Sequence, residues 1–236
     1  MIQLHQFAPA FGVPNPGPFC MKVEGVLRLA GLPYTTVTQP DPRKGPLGKL
    51  PFIVDGDQRL ADSSRIVDYL RAEYGFDADD GLDASTRAVH RAFIALLEDR
   101  LYFALVWLRW IDEHNWPLIR DTYFGSLPVP LRQLVPRIAR AQVRRDLHGQ
   151  GMGRHDHEFI VETARRDWAA LSEYLGDAPF FGGEKPALLD VVAVAMLANF
   201  VRGVVRSPVR DALAADARLM GYLDRSMKRL FGMTLA

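Results

Sequence analysis

The first eighty residues combine the hydrophobic periodicities of strands and of helices. Residues 2–7 alternate apolar and polar side chains, which predicts a short strand. Residues 19–30 carry apolar side chains at helical spacing, and Gly31 ends the pattern. Residues 34–38 are rich in β-branched side chains and predict a second strand, whereas the three prolines of residues 39–48 exclude regular structure there.

The most informative pattern lies in residues 49–64. Two short apolar runs flank an Asp-Gly dipeptide at 55–56, and this dipeptide readily supplies the positive φ of a tight hairpin turn. A proline directly precedes the first run, and Asp62-Ser63 directly follows the second and opens another helix, which ends before Gly75. A strand, a turn, a strand and a capped helix together form a compact site that can hold a small polar ligand.

The whole order, β-α-β, an irregular segment and then β-β-α, is that of a thioredoxin-like α/β domain. The acidic segment 77–83 predicts a linker. Beyond it every pattern is helical, and the longest run, residues 84–113, contains neither Gly nor Pro. We therefore predict a thioredoxin-like N-terminal domain, residues 1–76, and an all-α C-terminal domain, residues 84–236. The other predicted helices cover residues 131–147, 158–175, 188–205 and 217–230.

Composition narrows the classes of partner. Lys plus Arg number 29 and Asp plus Glu 28, for a net charge of +1, which argues against a nucleic-acid partner and against polybasic membrane attachment. The one cysteine, Cys20, rules out an internal disulfide and fits a reducing cytosol. The N-terminus lacks a signal pattern, and the most apolar stretch, residues 102–111, is too short to span a bilayer. These features predict a cytoplasmic protein without a membrane span.

Three motifs follow one another in the order and spacing of a known family. They are Pro-Phe-Cys-Met-Lys-Val-Glu at 18–24, Lys-Gly-Pro at 44–46 with Gly-Lys-Leu-Pro at 48–51, and Asp-Ser at 62–63 followed by Ile66. Together with the domain order they resemble the cytosolic glutathione transferase superfamily, and within it the metaxin-like, failed-axon-connections-type branch. The likeness covers nearly the whole chain. It implies a glutathione-binding N-terminal domain, glutathione as co-substrate or cofactor, and a homodimer.

The resemblance implies that glutathione lies against the start of the third strand. Pro51 lacks an N–H and is a candidate for a cis peptide bond. In relatives of this fold, that bond turns the preceding main chain toward the cysteinyl unit of glutathione, a contact that falls to Leu50 here. Lys49 or Lys44 could pair with the glycine carboxylate, although exposed lysines are usually only solvated.

Asp62 and Ser63 can both cap the helix that they open, because their side chains accept hydrogen bonds from its first N–H groups. The resemblance adds a ligand role, in which Ser63 and the helix N-terminus bind the γ-glutamyl carboxylate and Asp62 reaches the ligand's amino group. Many relatives have Glu-Ser at this point, and the aspartate is one methylene shorter. Capping alone remains the alternative, and the two roles are compatible.

Cys20 is the candidate catalytic thiol. Pro18 suits the first turn of a helix, and the helix dipole can lower the pKa of a thiol about one turn from its start. In redox relatives, however, the reactive sulfur immediately precedes the proline, where this chain has Gly17. Relatives that use a hydroxyl carry serine at or just before that proline, and this chain offers Asn15 and Pro16. Cys20 is therefore either a functional thiol or a small packing residue.

If the protein is an enzyme, its nucleophile is expected to be the thiolate of glutathione itself. Backbone N–H groups near residues 19 and 20, with the Asn15 amide or the Cys20 S–H, would lower the thiol pKa. The second substrate is expected between the domains, with Phe11 and Tyr102 as candidate walls. Trp107 and Trp110 could contribute, although aromatic residues on a long buried helix are often plain core.

The leading function is therefore that of a glutathione transferase acting on a small hydrophobic electrophile. One alternative is a non-catalytic, metaxin-like interaction protein, and another is a glutathione-dependent isomerase or lyase. The histidine-rich segment containing His148, His155, His157 and Glu158 has the composition of a metal site. Asp156 followed by a helical pattern indicates a helix start instead, and we expect no metal.

Overall fold

The computed structural model describes residues 1–202 and 205–234. Its strands are β1 (Ile2–Gln6), β2 (Tyr34–Thr38), β3 (Phe52–Asp55) and β4 (Gln58–Ala61). Its helices are α1 (Pro18–Leu29), α2 (Ser63–Tyr74), α3 (Ala84–Leu96), α4 (Tyr102–Trp110), α5 (Trp116–Phe124), α6 (Leu131–Gln150), α7 (His157–Leu175), α8 (Leu188–Val201), α9 (Pro208–Ala215) and α10 (Ala217–Phe231).

The four strands form one mixed sheet in the order β2-β1-β3-β4. β1 runs parallel to β2 and antiparallel to β3, and β3 and β4 form the predicted hairpin. The hairpin turn lies one residue later than the sequence indicated, because Asp55 is still paired with Gln58. The two turn residues are thus Gly56, with φ 56°, and Asp57. The predicted thioredoxin-like order is confirmed.

The helical half differs from the sequence prediction in three respects. The run 84–113 is continuous from α3 to α4 but contains a π-helical turn, Leu97–Leu101, a feature frequent at functional sites. α5 and α9 were not predicted, because each has fewer than ten residues and offers a hydrophobic pattern of barely two turns. The helix predicted to end at residue 205 ends at Val201, and residues 203–204 lie outside the described part of the chain.

α8 is the centre of the core. Every residue from Leu189 to Val201 is buried, and the helix packs against α1 of the N-terminal half and against α3 and α10 of the C-terminal half. A helix that is buried on every side has no solvent face, so α8 joins the sheet-containing unit to the helical unit through a shared core. No helix in the described ranges combines the length and apolarity that crossing a bilayer requires.

The N-terminus of α8 is held by one buried carboxylate. Asp190 accepts hydrogen bonds from the backbone N–H groups of Phe181 (2.8 Å), Gly182 (3.0 Å) and Ala187 (2.8 Å). Ala187 occupies the N-cap position and has no side-chain acceptor for the first turn. The cap is therefore one half of the usual reciprocal pair.

Ala187→Ser should stabilise the protein by about 1 kcal/mol, because a hydroxyl at the N-cap accepts a hydrogen bond from an N–H of the first turn. Serine is the appropriate choice since Ala187 is only 2% exposed. For a chain of this length the thermal midpoint should rise by about 2–4 °C, which differential scanning calorimetry measures. Ala187→Gly is the control without a hydroxyl, and an unchanged or lowered midpoint for the serine variant would contradict the capping argument.

Candidate functional site

The strand register brings the sequence-predicted glutathione residues to one end of the sheet. Phe52, the first residue of β3, pairs with His5 on one side and with Ala61 on the other. The residues that follow β1, precede β3 and follow β4 therefore leave the sheet at the same end. The β1–α1 loop, the Leu50–Pro51 pair and the start of α2 lie side by side as a consequence.

The Leu50–Pro51 peptide bond is cis, as the sequence suggested. Leu50 is half-buried, whereas Lys49 and Lys44 are exposed. Gly45 is needed beside them, because a Cβ at this position would lie 2.1 Å from the carbonyl oxygen of Lys49. The segment before β3 is thus tightly folded and leaves its lysine side chains in solvent, free to meet an anionic group.

The start of α2 is a capped helix whose first residue, Ser63, is buried. Oδ1 of Asp62 accepts from the N–H groups of Ser64 (2.9 Å) and Arg65 (3.1 Å), so the capping role is present. Asp62 has φ 79°, a strained conformation for a non-glycine residue, of the kind that clusters at ligand sites. Ser63 is 7% exposed, and in the described structure its hydroxyl has no hydrogen-bond partner. This end of α2 suits a carboxylate ligand.

In the loop before α1, the polar side chain of Asn15 makes its hydrogen bonds with the backbone of the loop itself. The Asn15 amide donates to the carbonyl of Phe7 (2.8 Å) and accepts from the N–H of Gly17 (3.0 Å). Both ends of this fully buried side chain are therefore occupied. In this geometry Asn15 shapes the loop, and its part in ionising a thiol stays a prediction.

Cys20 lies inside this loop and not on its surface. It is 1% exposed, and burial raises the pKa of its thiol to about 12, although a hydrogen bond from the backbone of Phe7 acts in the opposite direction. Desolvation disfavours the thiolate more than this hydrogen bond favours it. This environment favours packing over nucleophilic chemistry, and the catalytic role of Cys20 stays a prediction.

Cys20 should react very slowly with iodoacetamide in the folded protein. A thiol pKa of about 12 leaves a thiolate fraction roughly a thousandfold below that of an ordinary cysteine at pH 8, and the rate should stay low up to pH 9. Mass spectrometry of the intact protein measures the adduct, and the same protein in urea, where this single thiol is exposed, is the control. Rapid labelling of the native protein at pH 7 would restore the case for a reactive thiol.

The two predicted pocket walls belong to neighbouring aromatic pairs. Phe11 packs edge-on against Tyr123 of α5, with ring centroids 5.7 Å apart, and Tyr102 packs edge-on against Phe19 of α1 at 4.7 Å. Trp110 stacks on Tyr123 at 6.1 Å, whereas Trp107 contacts His157 instead. Sequence reasoning missed Tyr123 because it lies on a helix that was not predicted.

A buried arginine and asparagine form a second group that the sequence did not reveal. Arg109 of α4 donates to the carbonyl oxygen of Pro16 (2.7 Å) and to both the backbone and side-chain oxygens of Asn199 on α8 (3.0 and 2.7 Å). Asn199 in turn donates to the carbonyl of Asn15 (3.2 Å). The guanidinium lies 5.7 Å from the centroid of the Phe11 ring. The only available signal was an arginine within the most apolar segment.

A buried ion pair ties the two units together beside the site. Lys22 of α1 donates to Glu98 in the π-helical turn (2.6 Å) and to the hydroxyl of Ser64 in α2 (3.2 Å). The side chains of the ion pair are only 3% and 14% exposed. The start of α2 is thus connected to α1 and to the helical half through one ammonium group.

Two further features, the histidine-rich segment and a cavity between α5 and α6, are separate from the residues predicted to bind glutathione. Among the described residues no group of three or more His, Cys, Asp or Glu side chains could hold a metal ion; His155 stacks on Phe159. A cavity of about 570 Å³ lies between α5 and α6, lined by Trp116 and by arginines that include Arg132 and Arg137. The residues predicted to bind glutathione do not line it.

Both halves of this chain match domains of known proteins. Models of the glutathione S-transferase N-terminal and C-terminal domains match residues 18–115 and 164–226. The isoprene-epoxide glutathione S-transferase of Rhodococcus sp. (strain AD45) is 31% identical over 97% of this chain and 99% of its own length. Failed axon connections of Drosophila melanogaster is 32% identical over 98% of this chain, which spans 58% of that longer protein. Human metaxin-2 is 29% identical over 73% of this chain and 66% of its own length.

Solved structures show the same architecture. The beta-etherase LigF from Sphingobium sp. strain SYK-6 matches 98% of this chain and 98% of its own, with a TM-score of 0.66 and 18% sequence identity. The predicted combination of a thioredoxin-like domain and an all-α domain is confirmed. The chain belongs to the glutathione transferase superfamily, in the branch that includes failed axon connections and the metaxins.

Proposed function

We propose that this protein is a glutathione transferase that joins glutathione to a small hydrophobic electrophile. One observation carries the proposal: the register of the sheet gathers the cis Leu50–Pro51 segment, the N-terminus of α2 and the loop before α1 at a single end. An extended thiol peptide can lie along the first of these, present its γ-glutamyl carboxylate to the second and its sulfur to the third.

In the proposed reaction the sulfur of glutathione attacks an electrophilic carbon. The thiol first loses its proton to solvent, the thiolate supplies the electron pair of the new C–S bond, and the leaving atom takes the pair of the bond that breaks. If the electrophile is an epoxide, as the name of the Rhodococcus relative states for that enzyme, the ring oxygen leaves carbon and is then protonated by water. Aromatic side chains around Phe11 and Tyr102 would hold such an apolar molecule beside the sulfur.

The proposed roles of the site residues are those that the family resemblance implies. Leu50 provides main-chain hydrogen bonds to the cysteinyl unit, Ser63 and the start of α2 bind the γ-glutamyl carboxylate, and Asp62 uses its carboxylate on the ligand's amino group as well as on the helix. Lys49 pairs with the glycine carboxylate. We further infer a cytoplasmic homodimer and a division into residues 1–76 and 84–236, as the superfamily suggests.

Removing the Ser63 hydroxyl should weaken glutathione binding roughly tenfold or more, because a hydrogen bond to a carboxylate contributes about 1.5–3 kcal/mol. Isothermal titration calorimetry of wild type and Ser63→Ala measures the change. Ser85→Ala is the matched control, since Ser85 is exposed at the start of another helix, α3. Equal affinity in the three proteins would contradict the placement of the carboxylate.

The second candidate is a non-catalytic interaction protein. It is favoured by Gly17, which carries neither hydroxyl nor thiol at the start of α1, and by the likeness to metaxin-2 and failed axon connections. Wild type that binds no glutathione at millimolar concentration would support it over the transferase. An assay that consumes the electrophile without retaining glutathione in the product would instead identify an isomerase or lyase.

A further inference from the structure

The guanidinium of Arg109 is a buried positive charge without a counter-ion. The residue is 5% exposed, and within residues 1–202 and 205–234 no carboxylate forms an ion pair with it. Its hydrogen bonds go to three neutral oxygens, one of Pro16 and two of Asn199, and its Nε is buried without an acceptor. Burying an unpaired charge is costly. We therefore expect Arg109 to pair with an anion that the protein alone does not supply.

The titratable groups around Arg109 do not supply that anion. Tyr102 of α4 and Tyr123 of α5 are the ones that interact with it electrostatically. Burial raises the pKa of Tyr102 to about 12 and raises that of Tyr123 as well. Both phenols are therefore neutral at pH 7, as is Cys20 of α1, which lies near both. Glu24, the carboxylate that interacts electrostatically with Cys20, is already paired with Arg28.

Arg109 holds the loop from which α1 begins. It binds the carbonyl of Pro16, and its partner Asn199 binds the carbonyl of Asn15. The next residue, Gly17, is the N-cap of α1, the place where the sulfur of glutathione lies on the proposed function. This chain has no hydroxyl at that point, and its Asn15 amide is occupied within the loop. A charge behind the loop can therefore add to the backbone N–H groups near residues 19 and 20 in favouring a thiolate.

We propose that Arg109, held by Asn199, is the positioning residue that stabilises the thiolate of bound glutathione, acting across the loop 15–17 by its charge. The inference rests on the proposed function. The thiol gives its proton to solvent on binding, and the sulfur anion becomes the counter-charge that the buried guanidinium lacks. A positive charge in close proximity lowers the pKa of an acid by roughly one to three units.

The test measures the pKa of the bound thiol and not turnover. The ultraviolet absorbance of the thiolate is followed against pH for glutathione bound to wild type, Arg109→Gln and Arg109→Lys. We expect a value below that of a free thiol in wild type, a rise of roughly one to three units in the glutamine variant, and most of the wild-type value in the lysine variant, which keeps the charge. S-methylglutathione, which has no thiol proton, should bind all three proteins with affinities within about threefold, or roughly 0.6 kcal/mol.

A purely structural role predicts a different outcome: Arg109→Gln would lower the melting temperature and weaken both peptides, and the thiol pKa would not move. That result would overturn the inference. If the glutamine variant does not fold, Asn199→Asp places a carboxylate against Arg109, and an unchanged thiol pKa there would overturn it equally. Wild type that binds neither peptide would overturn the proposed function and this inference together, whereas binding with an unmoved thiol pKa removes the inference alone.

Discussion

Replacing Asp190 with alanine is expected to lower the free energy of unfolding by about 4 kcal/mol. Its carboxylate accepts from the N–H groups of Phe181, Gly182 and Ala187, and Asp190 is completely buried. Each of the three buried N–H groups left without an acceptor costs about 1–3 kcal/mol. Partial relaxation of the surrounding structure keeps their total below the sum of the three upper limits. These donors lie at the N-terminus of α8, the helix that both halves of the protein pack against. The loss of stability should therefore affect the whole molecule.

Urea denaturation followed by circular dichroism measures the effect of Asp190→Ala. Asp156→Ala is the matched control, because Asp156 also caps a helix but accepts a single hydrogen bond, from the N–H of Phe159, at an exposed position. We expect the control to lose only about 1 kcal/mol. Similar losses in the two variants would show that the buried position of the carboxylate adds nothing to a plain cap.

The difference between these two aspartates also explains what the sequence could reveal. The cap at Asp156 and the hairpin before Asp62 are local, so residue type and spacing predicted both. The order of strands and helices in the first half followed for the same reason, since each element has its own periodicity and a clear stop. The family motifs then located the candidate glutathione residues on those elements.

Features that depend on distant parts of the chain were not accessible in this way. Arg109 and Asn199 are 90 residues apart, and no periodicity connects them. In the sequence, Arg109 was no more than an arginine within an apolar segment. Tyr123 was missed together with α5, which lies in the stretch between the two segments matched by the family models. The aromatic cluster and the buried charge therefore emerged only from the folded structure.

The Lys22–Glu98 pair is the third long-range feature, and Glu98→Ala should cost about 3–5 kcal/mol of unfolding free energy. The lysine side chain is 3% exposed, and loss of its partner leaves a buried ammonium group without a counter-charge. Arg166→Ala is the control, since Arg166 forms an exposed pair with Glu162 and such pairs contribute about 0–1 kcal/mol.

The double variant Lys22→Met/Glu98→Leu separates an unpaired charge from a loss of packing. Two apolar side chains of similar size should restore most of the stability, because replacing a buried ion pair by hydrophobic residues is often neutral or better. Glutathione affinity should nevertheless fall below that of wild type, since Lys22 also donates to Ser64 (3.2 Å) and so fixes the N-terminus of α2 next to Ser63. Denaturation and calorimetry on the same samples measure both quantities. If stability and affinity recover together, the ammonium group has no part in positioning the ligand, and the link between the helical half and the glutathione site must run through the shared core of α1 and α8.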